Sequence, residues 1–227
     1  MNKDVNTIWV VEMPKFAIGI FILLNILAIS MYTGGTYLNN SNPGYSMGFN
    51  FLSDLGRTIS FSNNNNLISS LLFNVSLILA GIVFVMFFYK MQHVFQKEKL
   101  QCFIRLGTIS GICGGFSLAG VGITPSNLYL NLHIIFATWI FRFFLIAAFS
   151  YSVIIWKSSS IKSKYAYGYF IFTISILIYI IISEFGPSPK SSMFALSLQV
   201  ISQKVILFIF LFAVYIQTLG IRKLRIQ

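Results

Sequence analysis

Acidic residues are scarce in this chain of 227 residues: Asp and Glu together number 5, against 16 Lys and Arg. Charge of either sign is thin, at 9% of residues, where an ordinary soluble domain carries roughly a quarter. So few charges cannot cover a surface that faces water. Histidine is rarer still. With only His93 and His133, and no His-x-x-x-His pair, the chain lacks the donor cluster that zinc chemistry needs. No metal and no other cofactor is expected. The two cysteines, Cys102 and Cys113, are separated along one helix by about 16 Å, beyond the reach of a disulfide. They read as small apolar residues. No G-x-S-x-G elbow and no glycine-rich phosphate loop occurs.

Apolar residues are what the chain has in quantity, 56% of the total, gathered into long runs. Spans of about 18 or more such residues are the signature of membrane crossing. Apolar runs set against polar breaks predict one all-α domain, a polytopic bundle of six transmembrane helices. The expected spans are about 16–32, 67–89, 106–123, 132–156, 165–183 and 194–219, with an outer loop over 33–66. The first run exceeds the usual signal-peptide core and lacks a small-x-small cleavage site before "TGGTYLNN", so it reads as a retained helix.

A net charge of +11 would suit nucleic acid, but its placement argues against that partner. Twelve basic residues fall on one side: Lys3 and Lys15; Lys90, Lys97, Lys99 and Arg105; Lys157, Lys162 and Lys164; Arg222, Lys223 and Arg225. The other side has Arg57 and Lys190. The positive-inside rule then predicts a cell-membrane protein with both termini in the cytoplasm.

Polar groups inside membrane spans are costly and usually face the bundle interior. Asn66, Ser70 and Asn74 recur every fourth residue and share one face of the second helix. Asn63 to Asn66 read as a polar lead-in to that helix, with Asn or Ser as its N-cap. Gly107, Gly111 and Gly115 repeat at the same spacing in the third, a pattern that lets helices approach closely. Arg142 and Lys204 each lie about ten residues into a span, near mid-membrane at 1.5 Å per residue. Such cations either snorkel to the surface or find partners in the bundle. Few anions are available, because Asp4, Glu12 and Glu98 belong to the basic side. Only Asp54, in "NFLSDLGRT", and Glu184, closing the fifth span, remain. A loop folded into the bundle mouth would let Asp54 meet Lys204 or Arg142. His133 and Arg142, nine residues apart, point to opposite faces of one helix. Gln199 and Gln203 share a face of the sixth helix, just before Lys204.

"NFLSDLGRT" followed by "SSLLFNVSLILAGI" resembles the S-D-x-G segment and second span of the FRAG/DRAM-type six-span membrane proteins, and their prokaryotic relatives more closely still. In those relatives a G-x-x-P turn followed by His is similar to Gly122, Pro125 and His133, and a Gln-Lys pair to Gln203-Lys204. Ser126 stands where the relatives often have an acidic residue, so an acid–base role there does not carry over. The resemblance implies six helices with an outward-facing polar site, and the eukaryotic members are associated with lipid remodelling and lipid asymmetry.

The expected function is therefore binding rather than an identified reaction. An outward-facing pocket built from Ser53, Asp54, Arg57, Asn74, His133, Arg142, Glu184, Gln199, Gln203 and Lys204 would hold membrane lipid headgroups or a small polar ligand. Two alternatives stand beside it. A lipid hydrolase or transferase would need Asp54 and His133 within one water of each other. A small-solute or proton carrier would use the intramembrane cations, although broken helices and matching halves are not evident.

Overall fold

A computed structural model of the chain describes residues 7–224. Lys3, Asp4 and Arg225, counted above in the terminal tails, lie outside these residues, as does the side chain of Lys223. Six helices follow one another: α1 (Met13–Met31), α2 (Leu67–Val94), α3 (Gln101–Ile123), α4 (Leu130–Lys157), α5 (Ala166–Phe185) and α6 (Met193–Leu224). A π-type turn, Ile8–Glu12, leads into α1 and lengthens the first apolar span to Ile8–Met31. All six are long and apolar enough to cross a membrane.

Helix ends overrun the expected spans. α2 continues past Tyr89 to Val94, and α3 begins at Gln101 where the apolar run starts at Leu106. Hydropathy reports the hydrocarbon thickness, whereas a helix carries its hydrogen bonds on through Lys90, Gln92 and Arg105 into the polar interface.

The helices form a ring in chain order, each packed on the next. α2, α3 and α4 make the tightest part of it, because glycine removes the side chains that would hold them apart. A Cβ at Gly81 of α2 would lie 2.7 Å from the Gly115 carbonyl of α3, and one at Gly115 would lie 2.9 Å from the backbone nitrogen of Val85. These two backbones touch, as small residues at helix crossings allow. α1 and α6 close the ring with the sparsest contact. At one end Met91 of α2 meets Gln217 of α6, and the Ile8–Glu12 turn packs on both helices. Both ends of the described chain therefore lie on that side.

Segment 33–66 folds into a cap at the opposite end. Its floor is a short 3-10 helix, Leu52–Gly56, seated on the polar face of α2. Ser69 donates to the Leu55 carbonyl at 3.2 Å, Ser70 to the Gly56 carbonyl at 2.8 Å, and Asn74 to the same oxygen at 3.2 Å. Glycine is required at 56, where a Cβ would come within 2.5 Å of the Asn74 amide oxygen. Asn66 occupies the N-cap position of α2, yet its side chain makes no capping bond. It clamps the cap instead, donating to the carbonyls of Leu55 and Arg57 and accepting from the Thr33 N–H at 3.2 Å. Asn65 accepts the Leu67 N–H at 3.0 Å in its place.

Candidate functional site

Two polar constructions meet under the cap. In the first, the Asn50 side chain donates to Asp54 Oδ2 at 3.1 Å and to the Gly35 carbonyl at 3.0 Å. The Asn50 carbonyl accepts from Lys204 Nζ at 2.5 Å and from the Tyr45 hydroxyl at 3.1 Å. Lys204 also lies 5.4 Å from the centre of the Tyr45 ring. Asp54 is 5% exposed and Lys204 8%. A loop carboxylate thus sits beside a helix cation with Asn50 between them, each attracting the other without direct contact.

Burial raises the Asp54 carboxyl to about 6 from its ordinary 3.8, opposed by the Asn50 amide, Arg57, the backbone at Phe51, and Lys204. Folding therefore takes up a proton between about pH 4 and pH 6. The stabilisation from this proton is complete below pH 4, is lost as pH rises through about 6, and is flat above. At about 1.4 kcal/mol per pKa unit the loss is about 3 kcal/mol. Asp54→Asn is expected to abolish this slope, read as the thermal midpoint in detergent from pH 4 to pH 7. An unchanged profile would show that another group carries it.

The second construction is a cavity of about 130 Å³ in the bundle core, bounded by all six helices and by Leu52 and Ser53 of the cap. Its wall is almost wholly apolar. Towards the basic end it is floored by Phe210, whose ring centre lies 5.0 Å from Phe84, 5.1 Å from Phe144 and 5.3 Å from Phe172. Among the described residues only Ser53, His133 and Gln203 bring side-chain hydrogen-bonding groups to the cavity, all at the cap end. Each has one atom to spare. Nδ1 of His133 lies 2.7 Å from the Thr124 carbonyl, which can only accept, so Nδ1 carries the proton and Nε2 remains an acceptor. Oε1 of Gln203 accepts the Leu52 N–H at 2.9 Å, leaving its NH₂ as a donor. The Ser53 hydroxyl has no partner among the described residues.

The remaining expected residues are placed elsewhere. Arg142 does not meet Asp54. Its guanidinium pairs with Glu184 of α5, also donates to the Thr138 carbonyl at 3.3 Å, and lies 5.6 Å from the Trp139 ring. At 34% and 36% exposed, this pair faces outwards between α4 and α5, away from the cavity. Arg57 stacks on Phe61 at 4.1 Å and donates to the Ile59 carbonyl. Asn74 holds the cap, and Gln199 ties α6 to the end of α5 by donating to the Ile182 carbonyl at 2.8 Å. Asp54 and His133 are held by different partners, Asn50 and Thr124, and share no hydrogen bond. Among the described residues no group of three His, Cys, Asp or Glu side chains could hold a metal ion.

Asn50 was not singled out from the sequence, although it connects Asp54 to Lys204. Nothing in its local pattern marks it, since it becomes central only when the 33–66 segment folds back. The Asn50–Asp54 spacing of four residues, with Leu52–Gly56 helical between the bundle and the cap, is the one trace it leaves.

The fold and site define an all-helical, multi-pass membrane protein. Compared with family models, with curated proteins and with solved structures, the chain matches none.

Proposed function

We propose that this protein is a cell-membrane protein, with both termini cytoplasmic, that binds an amphiphile in its bundle core. The apolar part of the ligand fills the 130 Å³ cavity, and its polar terminus meets Ser53, His133 and Gln203 beneath the cap. One observation carries this reading: three unengaged hydrogen-bonding atoms converge on one end of an otherwise apolar chamber. Such a chamber, with few convergent polar groups, is the ordinary form of a small-molecule site. An engineered apolar cavity of about 150 Å³ holds benzene, so about six carbons fit here. The orientation is supported by basic residues at the end opposite the cap, among them Lys90, Lys97, Lys99 and Lys157. Kinship with the FRAG/DRAM-type proteins, proposed on the "NFLSDLGRT" segment, agrees with a lipid-derived ligand.

Neither alternative gains support from the geometry. A hydrolase built on Asp54 and His133 finds no hydrogen bond between them among the described residues. For a carrier, the described residues at the Phe210 end of the cavity are aromatic and supply no polar group.

Native mass spectrometry of the full chain, gently extracted, tests the binding. A co-purifying amphiphile is expected, bound 3- to 10-fold more weakly in Ser53→Ala, the equivalent of one net hydrogen bond. Ala137→Phe, which fills the chamber, is expected to exclude it. Equal occupancy in wild type and both variants would reject the reading.

A further inference from the structure

The ring of helices is weakest where α1 meets α6, and that seam borders the cavity. α1 is tied the other way, for Asn25 donates to Ser76 of α2 at 3.1 Å. Among the described residues no hydrogen bond or ion pair joins α1 to α6. The seam is shut at its basic end by the Ile8–Glu12 turn, whose Val10 and Val11 are buried, and at the cap end the Leu52–Gln203 hydrogen bond fastens the cap to α6. Between those ends Ile18 of α1 and Leu207 and Leu211 of α6 line the chamber while only half-buried, so one layer of aliphatic side chains separates it from the exterior. α2, α3 and α4 press glycine against backbone or ring, and Phe210 with its neighbours closes the floor.

We propose that the α1–α6 seam is a lateral portal, and that the ligand is a long single aliphatic chain with a hydrogen-bonding terminus, taken from the bilayer interior. This rests on the amphiphile reading of the cavity. The terminus sits at Ser53, His133 and Gln203. About six carbons occupy the chamber, and the rest of the chain passes out between Ile18 and Leu207 into the surrounding hydrocarbon. Size argues for the chain. A membrane-dissolved amphiphile has a dozen or more carbons, more than the chamber holds, and the remainder must exit where the wall is thin and apolar. Among the described residues, those that line the chamber at this seam, Ile18, Leu207 and Leu211, are aliphatic.

The test uses two alcohols with the full chain reconstituted in phosphatidylcholine vesicles. Hexadecanol carrying a diazirine at mid-chain is photolysed and its adducts are mapped; 1-hexanol, which fits wholly inside, reports on the chamber alone. Adducts are expected to concentrate on residues 17–22 and 207–211, and excess hexanol is expected to reduce them at least 5-fold. Ile18→Trp, which thickens the seam, is expected to cut hexadecanol labelling about 10-fold while hexanol binding persists. If hexanol binds but hexadecanol labels the lipid-facing surface evenly, with no effect of Ile18→Trp, the portal is overturned and the cavity reading stands. If neither alcohol is retained, both readings fall.

Discussion

Lys204→Met is expected to lower the thermal midpoint in detergent by about 10 °C at pH 8, and by clearly less at pH 5. Methionine keeps most of the volume, so the loss is electrostatic. Lys204 holds the Asn50 carbonyl and offsets the charge of Asp54, and both ionisable groups are almost fully buried. Removing a charged donor from the buried Asn50 carbonyl costs about 1.5–3 kcal/mol, and Asp54 loses a cation that attracts it without touching it. For a chain of this size each kcal/mol moves the midpoint roughly 2–4 °C. Asp54 limits the damage by taking up a proton, which its raised pKa of about 6 makes easy at pH 5 and harder at pH 8. Adding Asp54→Asn to Lys204→Met should therefore restore part of the loss at pH 8, a coupling that a double-mutant cycle measures. A deficit in Lys204→Met independent of pH would mean that Lys204 contributes through packing alone.

Gly81→Val is expected to prevent recovery of folded protein, and Gly81→Ala to destabilise by about 3 kcal/mol, the upper end of ordinary overpacking. The methyl of alanine would meet backbone atoms, the Gly115 carbonyl at 2.7 Å and the Ala119 nitrogen at 2.8 Å, and backbone cannot rotate aside. α2 and α3 must separate, and the polar face of α2 that seats the cap moves with them. Gly19 provides the control. It lies in α1 with nothing within 4 Å of a Cβ, so Gly19→Ala should be neutral or stabilising by up to about 1 kcal/mol. Comparable midpoints for Gly81→Ala and Gly19→Ala would refute the close crossing.

How much the sequence disclosed depended on the range of the physics. Six apolar runs made six helices, because each must satisfy its own backbone within the hydrocarbon. The four-residue spacing of Asn66, Ser70 and Asn74 marked the polar face correctly, yet not its occupant. That face receives the carbonyls of Leu55, Gly56 and Arg57, a tertiary contact no local pattern encodes. Scarcity of anions drew attention to Asp54 and Glu184, but only the folded cap shows that they serve different cations. Glu184 takes Arg142 at the surface, and Asp54 faces Lys204 through Asn50. The cavity was not legible at all. Its wall is drawn from every helix, and an apolar residue facing a void reads the same as one facing a neighbour or a lipid.

The cap also constrains how the protein is made. Residues 33–66 leave the ribosome after the first span, but Lys204 and Gln203, which fasten Asn50 and Leu52, belong to the last. Until that final helix is inserted, a nascent chain holds a half-docked loop with a carboxylate awaiting its counter-ion. Docking of the cap is thus complete only once α6 is in place, and a chain truncated before α6 would leave Asn50 and Leu52 unfastened.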